Sequence, residues 1–263
     1  MYREGRVRVD MSSARIMKLV VFLLFLMLPR EAMQSQTQVN SPPFPIGEKL
    51  SFRVSWINAI DAGSADLTVS HGDSKSKDLL RFELKALTNP NLIAGYDFKD
   101  EFISYFDPGL SAPRSFHKNF TEKSRVVDEK MEFDQVNRYV VVTRSKKIAR
   151  KISIETGTQD PISSLYAMRS IMLKPGMTLS FPVMDGDRTY QLEARVIGQE
   201  LITTKLGNFN SHRTEIRIRP VDSSSNERAI VVWFSTDQRR LPVLATVSLP
   251  VGSAVIELIA RNP

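Results

Sequence analysis

Cysteine is missing from all 263 residues. Without it the chain builds no disulfide framework, thiolate nucleophile, zinc finger or iron–sulfur cluster, and it offers no thiol to carry a lipid. Histidine is nearly as scarce. His71, His117 and His212 stand far apart and leave little room for a His-rich metal site. His117 and His212 read as ordinary strand residues, although either could meet a serine in space. The chain also lacks a G-x-S-x-G elbow, an H-E-x-x-H helix, a P-loop and a Gly-rich dinucleotide turn. The sequence thus nominates no catalytic residue, no metal ligand and no cofactor. Long apolar runs are absent too: the longest, Leu19–Leu28, falls short of the ~20 residues a membrane-spanning helix needs.

What is present describes a folded protein. Hydrophobic residues make up 42% of the chain and charged ones 25%, which excludes a disordered or collagen-like polymer. Arg15 and Lys18 precede the run LVVFLLFLML, and small and polar residues follow it. A basic region before an apolar stretch of about 7–15 residues is the pattern of a secretory signal peptide. Pro29 ends the run, and it has no amphipathic face, so a buried core helix fits poorly. Residues 1–33 are expected to be a signal peptide with an upstream extension, since Met11 or Met17 could each start a conventional one. Cleavage is expected between Gln34 and Ser41, with an uncleaved anchor as the alternative because no clean A-x-A site follows. The expected location is the periplasm or outer cell envelope. The formal charge is +7, and residues 1–33 hold six basic and three acidic side chains, so the remainder carries +4. Such a mild excess gives no reason to expect nucleic-acid binding.

Residues 34–46 (QSQTQVNSPPFPI) are polar, then Pro-rich, and read as a tether to a single β-rich domain over residues 47–260. From Gly47 the dominant period is two. Leu50, Phe52, Val54 and Trp56 alternate with Lys49, Ser51, Arg53 and Ser55, as a half-buried strand requires. Similar segments recur at Ala65–Val69, Leu80–Leu84, Phe98–Phe106, Arg138–Thr143, Ile152–Ile154, Leu179–Val183, Tyr190–Val196, Thr214–Ile218, Ala229–Phe234, Val243–Leu249 and Ala254–Leu258. Turn signals separate them, among them Asp61-Ala62-Gly63, Asp107-Pro108-Gly109 and Asp185-Gly186-Asp187. The pattern predicts a mainly β protein: one strongly curved antiparallel sheet or open β-barrel.

One segment departs from this rhythm. Asp160 suits an N-cap, Pro161 the first helical position, and Lys174-Pro175-Gly176 a stop. Ile162, Leu165, Tyr166, Met172 and Leu173 form a stripe at helical spacing, widened by Met168 and Ile171. The spacing predicts one packed α-helix near residues 160–173, held between layers.

Four stretches in this order carry a resemblance: GEKLSFRVSWINAIDAGSADLTV (Gly47–Val69), DPISSLYAMRS (Asp160–Ser170), Phe181 through Gly207 with GQELITTKLGNF, and VWFSTDQRRLPV (Val232–Val243). Together they resemble the exported bacterial family known as domain of unknown function 3108. The resemblance spans roughly Phe44 to Ile259 and implies an exported, β-rich envelope domain. The family has no established activity, so it transfers no site residue.

Candidate sites rest on the residues alone. Trp56, Tyr96, Phe98, Tyr166 and Trp233 are candidates for lining an apolar or amphiphilic ligand site, against the simpler reading of aromatic core. Arg144–Lys151 (RSKKIARK) holds five positive charges, Arg144, Lys146, Lys147, Arg150 and Lys151, and no negative one. It reads as a solvated hairpin tip that discourages edge pairing, or as a contact to an anionic membrane surface. Asp237 and Arg240 read as turn chemistry before they read as a substrate clamp. The leading expectation is a non-enzymatic, β-barrel-like envelope module that binds a lipid or envelope precursor. The alternatives are an envelope hydrolase using carboxylates on cell-wall or polysaccharide material, and a structural or assembly factor of the envelope.

Overall fold

Alternating side chains and short turns fold into fourteen strands of one sheet. The structure is a computed structural model describing residues 43–262 except 57–59, 75, 90–98, 123–124, 146, 223–227 and 250–251. The segments expected as signal peptide and as most of the tether, together with Tyr96, Phe98 and Lys146, therefore lie outside the described residues. The strands are β1 (Lys49–Trp56), β2 (Ile60–His71), β3 (Leu80–Thr88), β4 (Lys99–Asp107), β5 (Ala112–Glu122), β6 (Arg125–Asp134), β7 (Tyr139–Arg144) and β8 (Arg150–Ser153). The helix α1 (Pro161–Ser170) precedes β9 (Thr178–Asp185), β10 (Arg188–Thr204), β11 (Gly207–Pro220), β12 (Arg228–Ser235), β13 (Pro242–Leu249) and β14 (Gly252–Arg261).

The strand order is β8-β7-β6-β5-β4-β3-β2-β1-β14-β13-β12-β11-β10-β9, with β1 and β14 paired in the middle. Two wings grow outward from that pair, and α1 is the passage from edge strand β8 to edge strand β9. The sheet is curved and not closed into a ladder, as the alternation predicts. Every neighbouring pair is antiparallel. Strand ends therefore fall on two rims. The start of β1 and α1 lie at one, the helix rim; the ends of β1, β5, β7 and β9 lie at the other, the open rim.

Period two places Leu50, Phe52 and Val54 of β1, Phe82 and Leu84 of β3, and Ile230, Val232 and Phe234 of β12 in one buried core. Each such side chain contributes about 2 kcal/mol by leaving water. The helix is buried on nearly all sides, including Ile162, Leu165, Tyr166, Met168 and Arg169. Its start is a complete capping box: Asp160 Oδ1 accepts the Ile162 and Ser163 amides at 2.8 Å each, and Ser163 Oγ accepts the Asp160 amide at 2.9 Å. Tyr166 stacks on Phe82, ring centroids 3.8 Å apart, while Phe44 meets Tyr166 edge-on at 4.8 Å.

Several sequence expectations are corrected here. The helix stops at Ser170 rather than near 173, with the Ile171 amide donating to Met168 O, and Met172 is exposed rather than part of a stripe. Phe44, read as tether, is buried in the core. Asp61-Ala62-Gly63 is not a turn but part of β2, where a bulge shifts the register against β1. Gly63 is needed there, because its φ is +152° and a Cβ would lie 2.1 Å from the Leu87 carbonyl oxygen. Strands β5 and β6 match no segment expected from the sequence, because Lys118 and Glu129 interrupt the apolar alternation of Phe116 and Phe120 and of Val127, Met131 and Phe133. Among the described residues no helix is long and apolar enough to cross a membrane.

Candidate functional site

Strand β5 carries Phe116, Lys118 and Phe120 at a period of two, so all three project from one face. That face is the inner one: Phe116 is fully buried, and Lys118 is 4% exposed. On β6 the register sets Glu129 opposite Lys118. From the other wing, β9 delivers Asp185 at the open rim, followed by Gly186 in a left-handed turn conformation at φ +59°. A Cβ on Gly186 would sit 3.4 Å from Glu129 Oε1, so the turn presses close against the carboxylate.

Lys118 Nζ lies 2.6 Å from Glu129 Oε1 and 2.6 Å from Asp185 Oδ1. Arg144, at the end of β7, lies 3.7 Å from Glu129 Oε2 and reaches toward solvent. Both cations flank the half-buried Phe120, at 5.5 Å and 6.0 Å from its ring centre. Burial opposes the charge on Lys118, but Asp185 and Glu129 outweigh it and hold the ammonium above its ordinary pKa. Burial also pushes the Asp185 carboxyl up, with Lys118 pulling it only partly back. Two cations and two anions thus form a neutral set that ties the wings together.

Trp56 ends β1 at the same rim, half-buried and on the same face as Leu50, Phe52 and Val54. The inner face therefore changes character along its length. At the helix rim it is sealed by Phe44, Phe82 and Tyr166; at the open rim it offers half-buried Phe120 beside buried charge, and half-buried Trp56 farther along the sheet on β1.

The structure does not gather the five aromatic candidates. Tyr166 is fully buried in the helix-rim stack, and Trp56 stands at the opposite rim. Trp233 alternates with buried Val232 and Phe234 and faces outward, where its indole donates to Glu200 Oε2 at 2.8 Å. It cannot line the interior with Tyr166. Its cover is the β10–β11 hairpin, which bulges at Val196/Gly198 and crosses the outer face, with the Lys205 amide on Glu257 Oε1 at 3.0 Å. Tyr96 and Phe98 fall outside the described residues.

The basic segment is divided among several tasks. Arg144 joins the buried set, Arg150 pairs with Asp187 at 2.8 Å, and Lys151 lies 3.5 Å from the centre of the Tyr139 ring. Asp237 organises its own turn, accepting from Ser235 Oγ at 2.8 Å and the Arg239 amide at 3.1 Å. Arg240 instead donates to the carbonyl of Arg169 at the end of α1, so the two form no clamp. Among the described residues no hydrogen bond joins His117 or His212 to a serine; His117 meets Asp128 at 3.0 Å. Among the described residues no three His, Asp or Glu side chains group as a metal site.

Sequence reasoning missed Lys118, Glu129 and Asp185. The one available signal was a lysine between two phenylalanines at period two, a charge on an otherwise apolar face.

A family model described as protein of unknown function (DUF3108) matches residues 51–259. A beta-barrel-like protein of domain of unknown function DUF1849 from Brucella abortus superposes with a TM-score of 0.56 at 10% identity, covering 82% of this chain and 97% of that one. At that identity the likeness is one of fold. An exported-protein candidate with a YmcC-like fold from Bacteroides fragilis gives 0.39 at 9% identity over 84% and 98% of the two chains. A lipoprotein candidate from Parabacteroides distasonis gives 0.41 at 13% identity over 86% and 100%. Among curated proteins none matches.

Proposed function

The chain belongs to the DUF3108 family, whose description assigns no function, and for it we propose an exported, non-enzymatic module of the bacterial envelope that holds an amphiphilic molecule at the open rim of its curved sheet. The observation that carries this reading is the graded inner face. Aromatic side chains are sealed at the helix rim and half-buried at the open rim, where Phe120 adjoins the Lys118, Arg144, Glu129 and Asp185 set and Trp56 stands on β1, four strands along the same rim. Apolar surface next to fixed charges matches the two-part chemistry of an amphiphile: a hydrocarbon portion on the rings, a polar head on the ions. The apolar run Leu19–Leu28 behind Arg15 and Lys18 supports export.

A hydrolase would use the same carboxylates differently. Glu129 and Asp185 each hold an oxygen 2.6 Å from Lys118 Nζ. An acid and base for hydrolysis need one carboxyl protonated and the other free to receive a proton. Here both carboxyls turn an oxygen to one buried ammonium, the geometry of an ion-pair set, which favours the binding reading.

The test is titration with cis-parinaric acid, a fluorescent fatty acid, alongside native mass spectrometry of protein purified from a bacterial envelope. Saturable binding is expected, weakened about tenfold, or ~1.4 kcal/mol, by Trp56→Ala or Phe120→Ala. Protein at its bare mass, together with no saturable binding of the probe, overturns the proposal.

A further inference from the structure

The connection between β7 and β8 stands at the open rim and bears a feature the interior does not explain. Ile148 is 92% exposed, the most exposed of the large hydrophobic side chains described. An isoleucine costs hydration free energy when displayed this way. Lys147, Arg150 and Lys151 flank it and are exposed as well. On the neighbouring strand Val126 is 63% exposed, and the Ser145 amide donates to the Asp128 carbonyl, extending the ladder between the two strands beyond Arg144.

The surrounding charges decide what such a tip can meet. The acids near it have partners already: Asp187 pairs with Arg150, Asp128 with His117, and Glu129 with Lys118 and Arg144 in the buried set. Arg144–Lys151 itself contains none. The helix rim also exposes apolar side chains, notably Val136 and Met172. Val136 there lies between Asp134 and Arg138, and Glu155 follows Ile154, whose amide donates to the Arg138 carbonyl, a mixed setting that favours neither sign. Among the described residues only the open rim joins an exposed aliphatic tip to a run of positive charge that contains no acid.

We propose that this tip docks the protein on an anionic bilayer surface, with Ile148 entering the headgroup layer and Lys147, Arg150 and Lys151 meeting lipid phosphates. Charge complementarity carries the choice of partner, and the isoleucine explains why the contact is not electrostatic alone. The docking stands whatever the interior binds. It would turn the open rim, with Trp56 and Phe120, toward the membrane.

Vesicle flotation tests it, with phosphatidylcholine alone against phosphatidylcholine mixed with an equal part of phosphatidylglycerol. The protein should float with the mixed vesicles at low salt and far less with neutral ones. Lys147→Gln/Lys151→Gln should lower the apparent affinity for mixed vesicles by about fivefold per charge. Ile148→Ser should lower it severalfold and leave a residual, salt-sensitive binding. Unchanged melting of each variant keeps loss of folding from imitating loss of docking. Equal binding to both vesicle types, no vesicle binding at all, or full binding by both variants overturns the proposal. A lipid-free dimer dissolved by Ile148→Ser overturns it too, because the tip would then belong to a second copy.

Discussion

Two buried cations in this molecule are handled in opposite ways. At the helix rim Arg169 is fully buried and its charge is met inside the protein: its guanidinium forks onto Glu48 at 2.7 and 2.8 Å, donates to the Arg239 carbonyl at 3.1 Å, and lies 5.2 Å from the ring centres of Phe44 and Tyr166, with Nε alone left without a hydrogen bond. One cation meets one anion, and the set ends there. At the open rim Lys118 meets two carboxylates, one of which continues to Arg144 and so toward solvent. Burial alone does not separate these cases, since Glu48, Lys118 and Glu129 are all buried. What separates them is whether the chain of partners closes inside the protein or runs on to its surface. The closed set fixes α1 to the start of β1; the open one ties the two wings together beneath the proposed site.

The sharpest way to break this comparison is to remove one partner from each set. Glu48→Gln leaves Arg169 charged in a closed interior, and a guanidinium cannot shed its proton. The expected loss is about 3–5 kcal/mol of stability, measured by denaturant unfolding. Replacing both residues with apolar ones, Glu48→Leu/Arg169→Met, should recover most of it. Lys118→Gln strands two carboxylates instead, and carboxylates can protonate. Its cost should therefore be smaller, and it should shrink as the pH falls, because the Asp185 carboxyl is already pushed upward. A pH-independent loss for Lys118→Gln as large as that of Glu48→Gln would erase the distinction between the two sets.

The helix cap gives the next effect. Asp160 is fully buried, and burial raises its pKa to about 6 despite the Ser104 hydroxyl and the two amides it accepts. Its folded value exceeds its unfolded value of about 4. The folded state therefore holds the proton more tightly, and the associated stability is present below that lower value and lost as pH rises through about 6. Two pH units correspond to about 3 kcal/mol. Asp160→Asn keeps an oxygen for the Ile162 and Ser163 amides and can donate to Ser104 Oγ. Relative to the parent it should gain stability from pH 4 to pH 7 by up to about 3 kcal/mol. Glu83, held down at about 2 chiefly by its hydrogen bond to Arg81, changes only in the acid range and is common to both proteins. Parallel stability curves for the two proteins across that interval would refute the raised value.

How much of this was legible follows the same physics. Strands such as Lys49–Trp56 announce themselves because their inner faces are purely apolar, and Asp160-Pro161 declares the start of the helix through capping chemistry that acts within four residues. β5 and β6 stayed hidden because Lys118 and Glu129 occupy inward positions, so the alternation that marks a half-buried strand is broken where the site is built. Asp185 reads as an ordinary turn residue, and only the meeting of two wings 67 residues apart makes it a partner of Lys118. Trp233 failed as an interior candidate for a related reason. Its strand alternates as expected, but a hairpin arriving from β10 and β11 covers the outer face, so partial burial there does not mean core.

The smallest effect concerns the seam between the wings. Arg150 of β8 and Asp187 of the β9–β10 turn make a 2.8 Å ion pair across it, with side chains 65% and 58% exposed. If that contact held the open rim together, Arg150→Gln would loosen it and melt the protein early. Exposed pairs contribute about 0–1 kcal/mol, because water screens them and both side chains lose freedom in forming them. The seam has stronger bonds available: Lys118 to Asp185 in the buried layer, and the backbone bridge in which the Gln159 amide donates to the Pro182 carbonyl at 2.9 Å and the Met184 amide to the Gln159 carbonyl at 2.8 Å. Arg150→Gln should therefore cost less than about 0.5 kcal/mol in denaturant unfolding, and added salt should bring variant and parent still closer. A loss above about 1 kcal/mol would transfer the closing of the rim from the buried charge set to its surface. The Lys118 set would then be free of a structural duty, and its burial would have to be explained by what it binds.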